Sequence, residues 1–266
     1  MDVITGLSYL MGGTMGAAIG SFLGVVIDRT QNSKLKTQKF WQGRSLCLDC
    51  GHQLSWWENI PLVSFIFLRG KCRNCRSPIP YWLPLVEIAG AAAGIAIAAM
   101  RPMSLMSLMG LMAVAVALIW IFFSDLVYGL VPDWAVLIGS AGAILVKFAK
   151  LHTTIEGFAN FIWPAAAAAA FFWFLVVVTR GRGMGTGDIT LAFFLGLWLG
   201  WPTIAIALYL AFILGAVTGI TLILLRKKRF GQTIPFGPFM IAGAVISITF
   251  PMRELLLDRW LEIVVK

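Results

Sequence analysis

The sequence predicts an all-α polytopic membrane protein of about eight transmembrane helices with a small cytoplasmic domain. Of its 266 residues, 59% are hydrophobic and only 12% are charged, about half the charged fraction of an ordinary soluble domain. The apolar residues form runs close to the roughly 20 residues that a helix needs to cross a bilayer. The net charge of +9 is typical of basic cytoplasmic loops. The basic residues are not interleaved with base-stacking aromatic residues, so we expect no nucleic-acid partner.

Eight apolar runs are predicted to form membrane helices. The stretch 189–225 is too long for one crossing, and Gly200-Trp201-Pro202 indicates a turn between two short ones. If this stretch is instead a single helix, the count falls to seven. The eight runs are 4–27, 84–100, 103–124, 134–149, 158–178, 189–200, 203–225 and 235–251.

The first run is predicted to remain in the mature protein as a membrane helix. Neither a preceding basic residue nor a small-residue cleavage site identifies it as a signal peptide. It carries glycine at every fourth position, which places these residues on one helix face and favours close approach of a neighbouring helix. The four glycines are Gly12, Gly16, Gly20 and Gly24.

The distribution of basic residues predicts the orientation. The loops that eight helices place on one side hold 15 of the 21 lysines and arginines, and basic loops favour the cytoplasm. The predicted units are a first transmembrane helix (1–27), a cytoplasmic domain (28–83), a transmembrane core (84–251) and a C-terminal tail along the opposite membrane surface (252–266).

All four cysteines lie in the predicted cytoplasmic domain, as two Cys-x2-Cys pairs separated by 21 residues: Cys47, Cys50, Cys72 and Cys75. Two residues between thiolates allow a tight turn to direct both sulfurs at one tetrahedral ion, so this spacing predicts a four-sulfur structural zinc site. Two disulfides or redox pairs are the alternative, which the reducing cytoplasm disfavours. Zinc would stabilise a segment too small to form a large core.

Four carboxylates border apolar runs, where an ionisable residue is a functional candidate. Asp133 precedes its run and resembles an N-cap. Glu87 lies in the first turn of its run, where the helix dipole favours an anion. Asp125 ends its run, where the dipole disfavours an anion, and no local interaction compensates. Asp188 begins a run, so an N-cap role is available to it as well.

Asp188 follows the glycine loop Gly183, Gly185 and Gly187, and an N-cap role alone does not account for these glycines. Glycine allows unusual backbone shapes and close approach of another chain. Two neighbouring carboxylates share a proton, so Asp125 and Asp188 could activate water as an aspartic protease does. A proton-coupled transporter could use the same acids, and a non-catalytic assembly scaffold would need neither.

Several motifs, in order along nearly the whole chain, resemble the type IV prepilin peptidase family of membrane aspartic proteases. "SDLVYGLVPD" at 124–133 resembles the segment with the first catalytic aspartate, and "GMGTGD" at 183–188 resembles the GxGD motif with the second. The first helix, the cysteine-bearing domain and the last helix match the family through "GSFLGVVIDR" at 20–29, "WWENIPLVSFIFLRGKCRNCRSPIPYWLPLVE" at 56–87 and "IPFGPFMIAGA" at 234–244.

The resemblance implies that Asp125 and Asp188 cleave the leader peptide of prepilins or pseudopilins after a glycine, at the cytoplasmic face of the bacterial inner membrane. Many members also methylate the new N-terminus with S-adenosylmethionine, and Gly70 and Lys71 match the region linked to that activity. The chain departs from the family at two positions. Gly24 replaces a usual asparagine, and Thr190 replaces a lysine that usually follows GxGD.

Overall fold

The computed structural model describes residues 3–31, 45–47, 49–102, 104–150, 155–181, 183–227 and 234–250. Helices dominate this part of the chain, and each of the eight predicted apolar runs forms one, with ends that differ by a few residues. The helices are α1 (Val3–Gln31), α2 (Val63–Phe67), α3 (Trp82–Met100), α4 (Leu105–Tyr128), α5 (Asp133–Lys150), α6 (Ile155–Val178), α7 (Thr186–Leu199), α8 (Thr203–Leu224) and α9 (Gly237–Thr249).

Four of these helices are long and apolar enough to cross a membrane: α1, α3, α4 and α8. Shorter apolar helices in the described part of the chain lie at Ile162–Val178, Thr186–Leu199 and Gly237–Thr249. Many large apolar side chains on these helices face outward, Leu224 and Ile4 among them, at 76% and 82% exposed. A soluble protein rarely exposes so much apolar surface, so the fold is that of a membrane protein.

The glycines of α1 pack against α3, as their spacing predicts. A methyl group on Gly12 would lie 2.6 Å from the Gly94 carbonyl oxygen, and one on Gly20 would lie 2.7 Å from that of Val86. Gly16 is in the same close contact with Gly90. Any side chain at these positions would separate the two helices, because the obstructing atoms belong to the backbone.

The core centres on α4, which packs against α1, α3, α5 and α9, while α7 packs against α5, α6 and α9. The C-terminal end of α4 is fixed by two short contacts. Gly129 ends the helix in a left-handed conformation with φ of 66°, and the buried Ser124 hydroxyl donates to the Leu130 carbonyl at 2.9 Å. These contacts set the direction in which the chain leaves Asp125.

The cysteine-bearing segment lies between α1 and α3 in the chain and is anchored to the second of them. The Glu87 carboxylate on α3 accepts a hydrogen bond of 2.7 Å from the Leu62 backbone N–H, at the residue that precedes α2. Glu87 therefore has a structural contact, but the predicted position in the first helical turn is wrong, because α3 begins at Trp82 and Glu87 lies in its second turn. The helix α1 continues to Gln31, beyond the predicted boundary at residue 27. The predicted tail at 252–266 lies outside the described residues.

Candidate active site and metal centre

The structure buries both candidate catalytic carboxylates. Asp125, in the last turn of α4, is 6% exposed, and Asp188, in the first turn of α7, is 7% exposed. The charge of Asp125 acts on the Asp188 carboxyl group, so the two lie within electrostatic reach of each other. Residues separated by 63 positions in the sequence thus share one site.

Asp125 lies at the C-terminal end of α4, where the helix dipole disfavours an anion, and the N-terminus of α9 compensates for this. The Gly237 backbone N–H, at the start of α9, donates to Asp125 Oδ2 at 2.9 Å. A helix N-terminus favours an anion through its dipole and its free N–H groups. This donor is 112 residues away from Asp125 in the sequence, so reasoning from neighbouring residues did not find it.

Gly237 also sets the spacing of the site. A methyl group on its Cα would lie 2.6 Å from Asp125 Oδ2 and 3.4 Å from Leu191 Cδ2. Leu191 is on α7, three residues beyond Asp188. The start of α9 therefore lies between the helix of the first aspartate and that of the second, and only glycine leaves room for this contact.

Asp188 does cap its helix, although not as the N-cap residue. The helix α7 begins at Thr186, and the Asp188 carboxylate in its first turn accepts a hydrogen bond of 3.1 Å from the Gly185 N–H. This is the arrangement in which a side chain at the third helical position reaches back to the residue before the helix. The bond fixes one oxygen of Asp188 and orients the carboxylate.

The three loop glycines have different surroundings. A methyl group on Gly187 would lie 2.9 Å from Val131 Cβ, so this glycine permits the close approach of the segment that follows α4. At Gly185 the nearest obstructing atom is 3.9 Å away, which leaves space beside Asp188 Oδ2. None of Gly183, Gly185 and Gly187 has a positive φ, so close approach and space explain these glycines better than unusual backbone conformation.

Two further residues near the site, Asp133 and Thr190, were singled out in the sequence, and the structure shows the contacts of each. Asp133 is the first residue of α5, and the preceding Pro132 carbonyl accepts the first N–H groups of that helix. Asp133 therefore stands just inside the helix rather than at the N-cap itself. Thr190, at the position where the family has lysine, donates its hydroxyl to the Gly187 carbonyl at 3.0 Å.

The sequence analysis did not single out Asp28, an acid near the site. Asp28, on the last turns of α1, accepts a hydrogen bond of 2.7 Å from the Tyr128 hydroxyl. Tyr128 lies three residues after Asp125 on α4, and this spacing places the two on neighbouring parts of one helix face. Asp28 directly follows a long apolar run, as Asp125 does. That position alone is enough to identify Asp28 as a candidate functional residue from the sequence.

The four cysteines come together as predicted. Their Sγ atoms all lie within 4.8 Å of one another, with 3.8 Å between Cys47 and Cys75 and 4.0 Å between Cys50 and Cys72. Tetrahedral zinc with Zn–S bonds of about 2.3 Å requires sulfurs about 3.8 Å apart. A disulfide would need about 2.05 Å, so the arrangement fits a metal ion.

The two cysteine pairs have the same backbone geometry. In the first, the Cys47 N–H donates to the His52 carbonyl and the Gly51 N–H donates to the Cys47 carbonyl, both at 2.9 Å. In the second, 25 residues later in the chain, the Cys72 N–H donates to the Ser77 carbonyl at 2.8 Å and the Arg76 N–H donates to the Cys72 carbonyl at 3.0 Å. The residue after each second cysteine is left-handed, with φ of 69° at Gly51 and 58° at Arg76.

Backbone N–H groups directed at the sulfurs favour the thiolates that bind metal. The backbone hydrogen bond from His52 lowers the pKa of the Cys50 thiol to about 7. A backbone hydrogen bond from Ser77 favours the Cys75 thiolate as well, but desolvation and the three neighbouring sulfurs raise its pKa to about 12. Four thiolates at this spacing repel one another, and a bound cation would remove that repulsion.

Comparison with known proteins agrees with the two regions of the fold. Residues 14–101 match the family model described as the bacterial peptidase A24 N-terminal domain, and residues 112–220 match that of the type IV leader peptidase family. The first region contains the cysteines, and the second contains Asp125 and Asp188. No solved structure matches the chain.

Several curated relatives extend over most of the chain, and each carries the name prepilin leader peptidase/N-methyltransferase. That of Burkholderia pseudomallei (strain 1026b) is 32% identical, with 92% of this chain and 86% of the relative aligned. That of Aeromonas hydrophila is 35% identical over 86% of each chain, and that of Pseudomonas aeruginosa is 31% identical over 88% and 87%. The buried aspartate pair, the cysteine cluster and these relatives together show that the chain belongs to the type IV leader peptidase family.

Proposed function

We propose that this protein is a membrane aspartic endopeptidase that cleaves the leader peptide of prepilins or pseudopilins after a glycine. The observation that carries the proposal is the buried pair Asp125 and Asp188, each fixed by one backbone N–H, from Gly237 and Gly185. Family membership favours hydrolysis over proton-coupled transport by the same acids. The names of the relatives support both the substrate and a second activity, N-methylation.

The pair hydrolyses the peptide bond by general acid–base catalysis. One carboxylate takes a proton from water, whose oxygen attacks the scissile carbonyl carbon, while the protonated partner donates to the carbonyl oxygen. Collapse of the tetrahedral intermediate breaks the C–N bond, and the leaving amine takes a proton. The space beside Gly185 lets an extended substrate strand lie next to Asp188.

The proposed topology has eight membrane crossings, with the active site and the cysteine-bearing domain at the cytoplasmic face of the bacterial inner membrane. Support comes from the eight apolar helices and from the concentration of basic residues in the loops of one side. The proposed units are the first helix at 1–27, the zinc domain at 28–83, the peptidase core at 84–251 and an interfacial tail at 252–266. The lipid bilayer and the prepilin are then the partners of the chain.

Zinc is the proposed metal of the four-cysteine site, with a structural role, because four protein ligands leave no open coordination position. S-adenosylmethionine is the proposed co-substrate of the second activity. When bound, it supplies a methyl group to the new N-terminal amine: the N–C bond forms as the C–S bond breaks, and the amine releases a proton. Gly24 and Thr190, which depart from the family pattern, leave both catalytic aspartates in place.

The test is cleavage of a purified prepilin by the full chain in nanodiscs, with product masses measured to detect both scission and an added methyl group. Asp125→Asn and Asp188→Asn should each reduce the cleavage rate by about 1,000-fold, the middle of the range for general acid–base catalysis. The matched control is Asp133→Asn, also at a helix end, which should leave the rate within about threefold because it removes no proton-transfer group. Wild-type cleavage by either active-site variant would refute the proposed mechanism.

A further inference from the structure

We propose that residues 56–67 of the cysteine-bearing segment insert into the bilayer surface and hold the cysteine cluster against anionic phospholipid headgroups. These residues carry five exposed large apolar side chains, which together form the anchor surface: Trp56, Ile60, Val63, Ile66 and Phe67. Side chains of this kind are normally buried, and a contiguous exposed patch of them marks an interaction site. The inference does not depend on the peptidase activity proposed above.

The short helix α2 has an inner and an outer side. Its inner side closes a cavity of about 340 Å³ against α1 and α3, which Phe65, Leu68 and Asp28 of α1 help to line. Ile66 and Phe67, on the same helix, are 72% and 79% exposed and do not line this cavity. The protein therefore covers one side of α2 and leaves the apolar outer side for another partner.

The anchor surface lies beside the membrane helices rather than beyond their ends. The Glu87 carboxylate on α3 accepts the Leu62 N–H at 2.7 Å, and Leu62 directly precedes α2. Gly20 of α1 packs against the same turn of α3, since a methyl group on Gly20 would lie 2.9 Å from the Glu87 Cα. From Gly20 the helix α1 continues to Gln31, a further distance of about 16 Å at 1.5 Å per residue. Leu62 is therefore level with the body of α1.

The opposite ends of α1 and α3 give a reference for depth in the bilayer. Near the start of α1, the Thr5 hydroxyl accepts a hydrogen bond of 3.2 Å from the guanidinium of Arg101, which directly follows α3. From this level, Gly20 is about 22 Å along α1 and Glu87 is about 21 Å along α3. In a hydrocarbon region about 30 Å thick, Glu87 and its partner Leu62 then lie about 8 Å inside the nearer edge, within the roughly 5–10 Å to which interfacial helices insert.

The anchor surface also continues the outward apolar surface of α1. Trp56 and Pro61 line one groove together with Ala18 and Phe22 of α1, and Phe22 and Trp56 are 59% and 79% exposed. Because the outward apolar side chains of a membrane helix contact acyl chains, Trp56 beside them faces the same lipids. Tyr81, directly before α3, is 78% exposed, and tryptophan and tyrosine are the residues that concentrate at membrane interfaces.

The backbone of the segment is suited to a place where water is scarce. Most N–H groups between residues 60 and 71 donate to carbonyl groups of the segment itself, and that of Leu62 donates to Glu87. Unpaired backbone groups are costly among lipids because no water replaces the missing partner. This pairing permits the segment to lie at the depth that α1 and α3 indicate.

The chain directly after α2 supplies positive charge next to the anchor surface. Residues 69–76 contain four exposed basic residues and no acid: Arg69, Lys71, Arg73 and Arg76. The Arg73 guanidinium lies 5.2 Å from the ring centre of Trp57, the neighbour of Trp56, so this charge stays close to the anchor surface. Anionic headgroups attract basic side chains near the bilayer, and apolar residues beside basic ones are typical of interfacial segments.

The first test replaces Phe67 by the photoreactive residue p-benzoylphenylalanine in the full-length protein, in nanodiscs of phosphatidylcholine and phosphatidylglycerol in equal amounts. The matched control carries the same residue at Gln53, which is exposed on the first cysteine turn. After irradiation, mass spectrometry should detect phospholipid adducts at position 67 in at least about tenfold greater yield, the ratio that a preference of roughly 1.4 kcal/mol produces. Both proteins should unfold at the wild-type temperature, because both positions are exposed.

Two outcomes of this test would overturn the proposal. One is an equal phospholipid yield at Phe67 and Gln53. The other is a set of adducts at Phe67 that consists mainly of a second copy of the chain or of added prepilin, because protein would then cover the anchor surface. Phospholipid adducts in a protein that does not cleave prepilin would support this inference and refute only the proposed function.

The composition of the adducts tests the role of the basic residues. In the equal mixture, phosphatidylglycerol adducts at position 67 should outnumber those of phosphatidylcholine. Arg69→Gln should lower this ratio by about fivefold, which corresponds to the roughly 1 kcal/mol that one basic residue contributes near an anionic surface. Arg101→Gln, at the other end of α3, is the control and should leave the ratio unchanged. Equal ratios in Arg69→Gln and the wild type would overturn the proposed contact with anionic headgroups.

A second measurement uses two adjacent tryptophans as matched probes. Fluorine-labelled tryptophan is incorporated, and the resonances of Trp56 and Trp57 are assigned from Trp56→Phe and Trp57→Phe. In nanodiscs with lipid that is spin-labelled on the acyl chain, the Trp56 signal should broaden strongly. The Trp57 signal should broaden less, because the Arg73 guanidinium lies over its ring. A Trp56 signal that broadens no more than that of Trp57 would overturn the proposal.

Discussion

The cysteine cluster and the aspartate pair both bring ionisable groups together, but by different means. Each cysteine pair is shaped by hydrogen bonds that span four or five residues, and the two pairs repeat the same pattern. Asp125, by contrast, depends on Gly237, which is 112 residues away. The cluster is assembled from two local turns, whereas the aspartate pair exists only when several helices have packed.

This difference implies that different structural changes disrupt the cysteine cluster and the aspartate pair. A local turn retains its shape when distant packing loosens, and its stability depends on what the sulfurs bind. The carboxylates of the aspartate pair lose their donors whenever α4, α7 and α9 move relative to one another.

The largest effect is expected from removing a cysteine ligand. The wild-type protein should contain about one zinc per chain, and Cys72→Ser should lose most of it because three sulfurs no longer close a tetrahedral site. Metal analysis of the purified protein measures this directly. Ser45→Ala, close to the first pair, is the control and should keep its zinc. A wild-type protein with four free thiols and no metal would contradict the prediction.

The same Cys72→Ser variant tests whether the two sites are independent. We expect prepilin cleavage to stay within about tenfold of the wild-type rate, because the local turns do not hold the aspartates and distant changes couple weakly. A cleavage rate that falls as strongly as the zinc content would show that the two regions form a single cooperative unit.

A smaller effect, confined to cleavage, is expected from Gly237→Ala. The added methyl group would lie 2.6 Å from Asp125 Oδ2, so α9 must shift and the N–H donor moves with it. Loss of one well-placed donor to a catalytic charge costs about 100-fold in rate. Gly6→Ala provides a matched control, because nothing lies within 4 Å of the position of its new methyl group. A Gly237→Ala variant with wild-type kinetics would show that this contact is not needed.

A global loss of stability is expected from Gly16→Ala. Its methyl group would collide with the Gly90 backbone carbonyl, and overpacking of this kind costs about 1–3 kcal/mol. The thermal unfolding midpoint in detergent should fall, whereas that of Gly6→Ala should not. An unchanged midpoint for Gly16→Ala would mean that α1 and α3 can separate at little cost.

The smallest effect is expected from Tyr128→Phe, which removes only the hydroxyl that bonds to Asp28 at 2.7 Å. One hydrogen bond contributes about 0.5–1.5 kcal/mol, so cleavage should slow by about tenfold at most. Tyr209→Phe, on an exposed part of α8, should change nothing. If Tyr128→Phe reduced cleavage as strongly as Gly237→Ala, the hydroxyl would have a direct role in catalysis.

The sequence predicted much of the fold because membrane helices are determined by composition over short windows. Each predicted run corresponds to a helix, and the start of α7 two residues before Asp188 is the kind of small boundary difference that such reasoning leaves. The cysteine spacing predicted a cluster for a similar reason, since Cys-x2-Cys determines the local turn. The glycines of α1 indicated a close helix contact, but not which helix would make it.

The sequence by itself determined the helices, the cysteine turns and the two aspartates at helix ends. Only the tertiary structure decided that Gly237 supplies the donor to Asp125, that Asp28 pairs with Tyr128 and that a cavity adjoins this pair. Helices and tight turns form from contacts within a few residues, so their patterns are visible in short stretches of sequence. Contacts between distant helices depend on how whole surfaces pack, and small residues permit such contacts without specifying the partner.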